Sequence, residues 1–479
     1  MSELNDKLQQ AFPGMVVKKS SLQGVFSSLN LPSFIRDWFI KKYADKDGNV
    51  NVNFVLEKIK DVMPRKNEWN NILDKLLCGE KVRFLAKIQI DIDIKSDEIT
   101  FALPDFGITK KQTYISKSVW EKHKKELLVT DGEFWGILDL EYKQVQVGKK
   151  QEGKIALVDF KDFRPYKIDL KFFKEARKNF TIDEWIDVIL GAIDYNAEGF
   201  KEENQKITML TRLLPFVEER LNLMELAPKG TGKSYIFSQI SKKGWLVSGG
   251  VMTRAKMFYD MNKRQEGLVS YFDYVALDEI STIKFPDIDE MRGAMKGYLE
   301  AGTYNVGVKA GSGKAGVILL GNIREEKMDV ENNMLEELPP LFEDSALIDR
   351  FHGFIKGWDV PRMNEDMKVK DWALNTEYFS EIMHALREDV ISKALVDELI
   401  EVPKDADTRD TKAVKRIATA YMKLFFPHWA SIDDVNKEEF KKYCLDRAVE
   451  MRKIIKTQLG IMDTEFKKRP MQEFKLKGE

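Results

Sequence analysis

Cysteine and histidine are scarce in this chain of 479 residues, which has two cysteines and four histidines. Cys78 and Cys444 lie far apart and neither sits in a metal-ligand spacing, which argues against a disulfide framework or a zinc site. No apolar run is long enough to span a bilayer, and the first residues have no basic segment followed by an apolar one. These absences predict a cytoplasmic protein without membrane contact.

The chain also lacks an excess of charge of either sign, because it has 77 basic and 78 acidic residues. Any contact with nucleic acid must therefore come from local patches of charge and not from the net charge. The length exceeds that of one ordinary hydrophobic core, so we expect two or three domains.

The periodicity of apolar residues divides the chain into four segments. Residues 1–78 have helical spacing and predict an N-terminal helical unit, whereas residues 79–178 alternate in the two-residue period of strands. The second segment predicts a β-rich unit that resembles a small barrel, with a helix near Trp120. Residues 179–360 predict alternating strands and helices, as in a parallel α/β core, and residues 361–479 predict a helical lid and a polar tail.

A glycine-punctuated turn between an apolar run and a helix predicts a phosphate-binding loop. Lys233 is placed to reach the β- and γ-phosphates of a nucleotide, and Ser234 is placed to bind the accompanying Mg²⁺. Ala227 stands where the consensus has its first glycine, so a chance turn is the alternative. The predicted nucleotide-binding residues are Pro228, Lys229, Gly230, Thr231, Gly232, Lys233, Ser234 and Tyr235.

Two further strands of this segment end in polar side chains. Residues 271–279 end in Asp278, which would hold Mg²⁺ through water, and Glu279, which would orient and deprotonate the attacking water. The alternative is that both carboxylates cap the next helix. Residues 317–322 end in Asn322, which is placed as a sensor between the γ-phosphate and this water, or is an ordinary turn residue.

Arg350 follows a short helical stretch in Ser345-Ala-Leu-Ile-Asp-Arg-Phe-His. A guanidinium here can act as an arginine finger that stabilises transition-state charge on the nucleotide of a neighbouring subunit. The alternative is an ordinary ion pair with Asp349 or Glu343.

The order of these motifs resembles that of AAA+ ATPases, and more narrowly that of the BrxL family, the Lon-like AAA+ proteins of BREX phage-defence systems. Other similar segments are residues 12–14, 135–142, 180–193, 247–250 and 423–428. The resemblance implies an α/β AAA+ P-loop ATPase core with a helical lid, preceded by an α+β N-terminal domain with a small β-barrel-like unit. It also implies ATP and Mg²⁺ as cofactors and a hexamer, as one ring or as two stacked rings.

By the same resemblance, Arg409 would be the lid arginine of sensor 2, and Arg416 is the alternative. Residues 302–316 resemble the pre-sensor hairpin of MCM helicases, with Lys309 and Lys314 at a glycine-rich tip. In a ring, these lysines would contact DNA phosphates without reading the base sequence. A plain exposed hairpin is the alternative.

A second basic region lies in the β-rich segment, where lysines alternate with Tyr114 and Trp120 and suggest a collar for duplex DNA. Solvated helical faces are the alternative. The lysines are Lys110, Lys111, Lys117, Lys122, Lys124 and Lys125.

Together these patterns favour a ring-forming, ATP-driven DNA translocase or clamp that acts in phage defence with other BREX proteins. An ATP-dependent Lon-like protease or unfoldase is the second interpretation. We expect no protease activity, because the sequence after Lys456 is short and provides no Ser and Lys pair for a dyad. A nucleotide switch that recruits partners without hydrolysis is the third.

Overall fold

A computed structural model describes residues 3–19, 31–93, 98–127, 133–147, 150–262 and 264–478. Contacts divide the chain into two compact units, one made of residues 1–41 and 168–479 and the other of residues 42–167. This grouping differs from the predicted helical unit of residues 1–78, of which residues 20–30 lie outside the described residues. The predicted boundary at residue 178 falls about one helix later than the division at residue 168.

The N-terminal residues fold as α1 (Glu3–Ala11), β1 (Val16–Lys18) and α2 (Ser33–Tyr43). Strand β1 pairs antiparallel with residues 372–374, and the ring of Phe12 lies 5.8 Å from Phe173 and 6.3 Å from Trp185. Aromatic pairs at such distances add to the stability gained from burial. These contacts join distant parts of the chain, which local periodicity does not reveal, and this explains why the contact grouping differs from the predicted segments.

Residues 42–167 form a helical and β-rich unit of their own. The sheet has the order β3-β2-β5-β6-β4, in which only the β4–β6 pair is parallel. Alternating residues such as Phe84, Leu138 and Phe160 fill its core. The barrel-like closure stays a prediction. The elements are α3 (Val52–Val62), α4 (Trp69–Leu77), β2 (Val82–Asp93), β3 (Glu98–Ala102), β4 (Thr113–Ile115), α5 (Lys117–Leu127), β5 (Glu133–Val147) and β6 (Lys150–Asp162).

A parallel sheet organises the larger unit, with the order β15-β7-β14-β11-β8. Its central strands are buried along nearly their whole length, as expected when both faces are covered. The parallel α/β core is therefore confirmed. The strands are β7 (Leu223–Ala227), β8 (Gly244–Ser248), β9 (Tyr259–Asp260), β10 (Gln265–Glu266), β11 (Tyr274–Asp278), β12 (Thr303–Val306), β13 (Lys309–Ser312), β14 (Gly316–Asn322), β15 (Gly353–Lys356), β16 (Trp372–Leu374), β17 (Ile400–Glu401) and β18 (Lys475–Leu476).

Helices flank this sheet and continue to the end of the chain. They are α6 (Leu170–Arg177), α7 (Ile182–Ala192), α8 (Glu203–Thr211), α9 (Leu214–Val217), α10 (Lys233–Gln239), α11 (Arg254–Met257), α12 (Leu268–Tyr271), α13 (Ile288–Ala301), α14 (Ser345–Ile348), α15 (Thr376–Leu386), α16 (Ile391–Leu399), α17 (Thr408–Phe425), α18 (Lys437–Phe440), α19 (Asp446–Met462) and α20 (Thr464–Lys467). Thr181 caps α7 in a reciprocal pair with Glu184.

Helices α15 to α19 lie where the sequence predicts a lid, and their role as a lid stays a prediction. Within the described ranges, no helix has both the length and the apolar character needed to cross a membrane.

Candidate active site

The predicted phosphate loop connects β7 with α10. Gly230 and Gly232 have φ angles of 82° and 77°, a left-handed conformation that glycine adopts without steric cost. A side chain at Gly232 would also collide with Tyr195, because an added Cβ would lie 2.5 Å from the Tyr195 hydroxyl oxygen. Both glycines are therefore required for this turn.

Ala227, the departure from the consensus, is the last residue of β7 and has the extended backbone of a strand. Its methyl group fits because Gly357 lies opposite. A Cβ added at Gly357 would overlap the Ala227 Cβ and come within 2.7 Å of Glu225 Oε1. The alanine is thus compatible with the loop, and the glycine that makes room for it is supplied by a later part of the chain.

Four predicted residues meet at the carboxyl ends of adjacent parallel strands, and we call them the phosphate cluster: Lys233, Ser234, Asp278 and Asn322. Lys233 Nζ donates to Asn322 Oδ1 at 2.8 Å, and Ser234 Oγ donates to Asp278 Oδ2 at 2.5 Å. Strand β14 lies between β7 and β11, so the sheet order itself brings these side chains together. Ligands of open α/β sheets bind at this edge.

Lys233 is only 7% exposed, and burial lowers the pKa of its ammonium group against the opposing effect of Glu225 and Asp278. Glu279 follows Asp278 with φ 50° and ψ 47°, and its own N–H donates to Asp278 Oδ1 at 2.9 Å. A left-handed non-glycine residue is uncommon and costs conformational energy, so its occurrence beside a cluster of this kind favours a functional role. The Glu279 side chain is exposed and accessible to water.

Ser234 and Asp278 fit the predicted Mg²⁺ site. A hydroxyl and a carboxylate are hard oxygen ligands, and Mg²⁺ is commonly bound through one or two such groups together with phosphate oxygens and water. The 2.5 Å contact between Ser234 Oγ and Asp278 Oδ2 brings the two side chains to the same point.

A cavity of about 740 Å³ opens beside the loop and is lined by Gly232, Ser234 and Tyr235 together with residues that the sequence analysis missed. Burial raises the pKa of Tyr195, one of the missed residues, to about 12 and keeps it neutral. Met363 N donates to Gly230 O at 2.8 Å, which ties the wall of the cavity to the loop. The volume is typical of ligand cavities. The missed lining residues include Leu31, Arg36, Asp194, Tyr195, Met363 and Met367.

Asp194 anchors one wall of this cavity. Lys19 Nζ lies 2.9 Å from Asp194 Oδ1, Arg36 pairs with the same oxygen, and the hydroxyl of Tyr235 donates to Oδ2 at 2.6 Å. Burial opposes ionisation of Asp194, but Arg36 and Lys19 outweigh it and hold the pKa far below its ordinary value. The predicted Tyr235 thus contributes to the cavity wall.

Arg350 and Arg409 lie together, and with Glu300 and Asp349 they form what we call the arginine cluster. Glu300 Oε2 lies 3.3 Å from Arg350 Nε and accepts a hydrogen bond from Arg409 Nε at 3.0 Å. Arg409 Nη1 also donates to Asp349 Oδ2 at 2.9 Å. These side chains line a cavity of about 350 Å³, whose lining includes none of the phosphate-loop residues.

Ionisation within the arginine cluster follows from these contacts. Burial and the nearby Arg409 lower the pKa of Arg350, whereas the hydrogen bonds to Asp349 and Glu300 outweigh burial and raise the pKa of Arg409. Burial opposes ionisation of Glu300, yet Arg409 and Arg350 lower its pKa. Arg416 lines the same cavity but bonds to the carbonyl oxygen of Arg220 at 3.2 Å, whereas Arg409 contacts Glu300, the partner of Arg350. Which of the two is the lid arginine stays a prediction.

The predicted hairpin is formed by β12 and β13, joined by a turn at Gly307 and Val308. Lys309 begins the second strand beside this turn, as expected. Lys314 lies beyond the second strand, where its carbonyl accepts from Arg220 N at 3.0 Å, so its predicted place at the tip is wrong. Lys309 Nζ lies 3.3 Å from Glu266 and Lys314 Nζ 2.8 Å from Glu219.

In the β-rich unit, several of the predicted collar lysines also pair with carboxylates. Lys110 Nζ lies 2.9 Å from Asp91, Lys122 Nζ 2.8 Å from Asp159, and Lys124 Nζ 2.6 Å from Glu121. These pairs are largely exposed, and such pairs contribute little to stability. These ion pairs are compatible both with a collar that binds duplex DNA and with an ordinary solvated helical face.

Two family models match the chain. The model described as "Lon-like protease BrxL-like, ATPase domain" matches residues 155–472, and the model described as "BREX system Lon protease-like protein BrxL N-terminal" matches residues 10–142. The first match contains the phosphate cluster and the arginine cluster.

Two curated relatives are similar along most of the chain, and both are named "Lon-like protease BrxL". The protein of Escherichia coli O9:H4 (strain HS) is 30% identical over 463 residues, which are 95% of this chain and 65% of the relative. The protein of Bacillus cereus (strain H3081.97) is 28% identical over 453 residues, which are 93% of this chain and 65% of the relative. The chain thus spans about 65% of the length of each of these relatives.

Proposed function

The chain belongs to the BrxL family, and from this membership and the geometry of its two clusters we propose that it is a ring-forming, Mg²⁺-dependent ATPase that moves along or clamps DNA in a BREX-type defence system. The observation that carries the proposal is the phosphate cluster, in which Lys233 and Ser234 meet Asn322 and Asp278 at the carboxyl edge of the sheet. This is the arrangement that phosphoryl transfer from a nucleotide needs, because the reaction depends on positioning and charge neutralisation.

Each residue of the phosphate cluster has a distinct task in this proposal, and so does Glu279 beside it. Lys233 binds the terminal phosphates, with its ammonium group positioned by Asn322 at 2.8 Å. Ser234 and Asp278 would hold Mg²⁺, which neutralises phosphate charge when bound. Glu279, exposed to solvent, accepts the proton of the attacking water, and Asn322 orients that water.

The arginine cluster supports action between subunits. Arg350 and Arg409 share Glu300 and line a cavity different from that of the phosphate loop of the same chain. We therefore propose that both guanidiniums act on the nucleotide held by a neighbouring copy, so that hydrolysis requires assembly. A hexamer, as one ring or two stacked rings, is the assembly proposed.

DNA is the proposed substrate of the motor. In a ring, the β12–β13 hairpin would present Lys309 toward the pore, where contacts to phosphates give affinity independent of base sequence. The pair with Glu266 at 3.3 Å must then be exchanged for a phosphate contact. Duplex DNA and other BREX proteins are the proposed partners.

The names of the relatives favour a second candidate, an ATP-dependent protease. Degradation of casein by the purified chain with ATP would support it. ATP binding without turnover would favour the third candidate, a nucleotide switch.

The test is steady-state ATPase activity titrated with duplex DNA, on protein whose assembly is followed by negative-stain electron microscopy. We expect ring-shaped particles, Mg²⁺-dependent turnover and a rise in turnover with DNA. Turnover that is independent of protein concentration, in particles of monomer size, would contradict the shared site. An ATPase rate that duplex DNA leaves unchanged, together with no DNA binding, would remove DNA from the proposal.

A further inference from the structure

Beneath the phosphate loop lies a buried ion pair that the roles above do not use. Arg212, at the end of α8, and Glu225, in the middle of β7, have side chains that are 0% exposed. Arg212 Nε lies 3.1 Å from each oxygen of Glu225, and Nη2 lies 2.6 Å from Oε1. This fork geometry is among the strongest available to a protein hydrogen bond.

The same guanidinium reaches the phosphate loop. Arg212 Nη1 donates to the carbonyl oxygen of Thr231 at 2.6 Å, and Nη2 lies 3.3 Å from Thr231 Oγ1. Thr231 Oγ1 in turn lies 3.3 Å from the carbonyl oxygen of Pro228, where the loop begins. A continuous set of hydrogen bonds therefore runs from β7 through Arg212 to Thr231 and on to Pro228, where the loop begins.

Stability alone gives little reason for such a pair. Removing two charges from water is costly, and replacing a buried ion pair by apolar residues of similar size often leaves a protein equally stable or more stable. A role in fixing the conformation of the loop accounts for the arrangement better, because Thr231 lies between Gly230 and Gly232, which tolerate many backbone conformations.

The geometry of the peptide bond shows which backbone group of the loop this contact orients. In a planar trans peptide, the carbonyl and the N–H point in opposite directions. Since the Thr231 carbonyl is bonded to Arg212 below the loop, the N–H of Gly232 is directed to the opposite side. Gly232 itself is one of the residues that line the cavity of about 740 Å³.

We propose that Arg212, held by Glu225, is a positioning residue that keeps the phosphate loop in its phosphate-binding conformation before nucleotide arrives. The inference rests on the proposed function in one respect, namely that this loop binds nucleotide phosphates. Arg212 itself touches no nucleotide and acts through the backbone of Thr231 and Gly232. Preorganisation of this kind raises affinity, because the cost of ordering the loop is met during folding.

The test compares nucleotide affinity with thermal stability in Arg212→Lys and in the double variant Arg212→Met with Glu225→Met. Lysine has one compact head group and cannot hold Glu225 and Thr231 in the same fork. We expect Arg212→Lys to bind a fluorescent ADP analogue at least about tenfold more weakly, the effect of losing one charged hydrogen bond. The double variant should recover the unfolding temperature of the nucleotide-free protein and keep the weak binding.

Arg177→Lys is the matched control, because Arg177 is also buried and bonds to the carbonyls of Phe425 and Phe180 in the same unit. It should lower the unfolding temperature and leave ADP affinity unchanged. Affinity within twofold of wild type in both Arg212 variants, or affinity that recovers together with stability in the double variant, would overturn the inference. If the wild-type protein itself binds no ADP or ATP, the proposed function fails, and this inference fails with it.

Discussion

The phosphate cluster and the arginine cluster belong to the same compact unit, yet their side chains have different partners. Lys233 and Ser234 bond to Asn322 and Asp278, so residues from different strand ends are joined as one binding surface. Arg350 and Arg409 instead pair with Glu300, a carboxylate of the same chain. We propose that the first cluster receives a ligand, and that the two guanidiniums of the second leave Glu300 to act on the nucleotide of a neighbouring copy.

In the proposed function, this difference would link assembly with hydrolysis. Ion pairs that are partly exposed are weak, so a phosphate brought by a neighbour would compete with Glu300 for both guanidiniums. Arg409 would also have to exchange its bond to the buried Asp349. A free chain would then keep its arginines neutralised. Mutations that act on one cluster or on the other should separate nucleotide binding from turnover.

The largest effect is expected from Lys233→Ala. Removal of the ammonium group leaves the terminal phosphates without their charged partner, so we expect ATP affinity to fall about a hundredfold or more, and turnover to disappear. Isothermal titration calorimetry with ATP and with ADP measures the change. Lys356→Ala is the control, because Lys356 pairs with Glu450 at 2.6 Å in the same unit and lies outside both clusters. Wild-type affinity in Lys233→Ala would remove this loop as the nucleotide site.

Arg350→Ala should leave the ATP-binding phosphate cluster complete and remove the guanidinium that a neighbouring copy is proposed to supply. We expect turnover to fall about a thousandfold, in the range measured for arginine fingers, with ATP affinity within about threefold of wild type. Equal amounts of Arg350→Ala and Lys233→Ala protein should recover part of the activity when mixed, because some interfaces then join an intact loop to an intact arginine. Absence of recovery in mixed rings would indicate that Arg350 acts on the nucleotide of its own chain. The proposed difference between the two clusters would then be wrong.

Glu279→Gln changes a residue beside the phosphate cluster without removing a side chain that is proposed to contact phosphate. The amide cannot accept a proton from water, so turnover should fall about a hundredfold or more, and ATP should still bind. Single-turnover hydrolysis measured beside equilibrium ATP binding distinguishes the two effects. Glu290→Gln is a suitable control, because Glu290 is exposed and pairs with Arg254 at 2.7 Å. Unchanged turnover in Glu279→Gln would leave Glu279 as a capping residue.

The residues of the phosphate cluster were predictable because their signals are local. Lys233 and Ser234 follow two glycines, and Asp278 and Asn322 end apolar runs, so each could be found in a short window of sequence. Parallel strands place such ends at one edge, which makes their meeting predictable as well. The family assignment, which rests on the order of these motifs, is confirmed.

The residues that support the clusters gave no local signal of that kind. Arg212, Glu300 and Gly357 act through partners far along the chain, and the choice of partner depends on how helices and strands pack. Glu225 could have indicated that a buried cation lies nearby, since a carboxylate inside an otherwise apolar strand requires a buried partner. Strand β1 pairs with β16 over a similarly long range, which is why the contact grouping differs from the predicted helical unit of residues 1–78.

Lys314 illustrates a different failure. Five glycines between residues 302 and 316 offered several turns, and the sequence could not decide among them. The chain turns at Gly307, whose φ is 58°, in the two-residue hairpin turn that positive φ permits. This turn leaves Lys309 beside the tip and moves Lys314 to the base of the hairpin.

The smallest effect is expected at this hairpin, which begins at Thr303, directly after the helix that carries Glu300. Each lysine must leave a carboxylate before it can bind a phosphate, so Lys309→Ala with Lys314→Ala should weaken duplex DNA binding only about threefold per lost contact at low salt. Fluorescence anisotropy at several salt concentrations measures this, and the slope of log affinity against log salt should decrease by about one for each lost contact.

The matched control is Lys356→Ala with Lys442→Ala, because these lysines also pair with glutamates in the same unit. A change only in the hairpin variant would link DNA to the β12–β13 hairpin, which follows the helix that carries Glu300. An unchanged salt slope would remove these lysines from the DNA contact. Lys309 would then differ from Lys233, because its pairing with Glu266 would be structural, whereas the ammonium group of Lys233, bonded to Asn322, is proposed to bind phosphate.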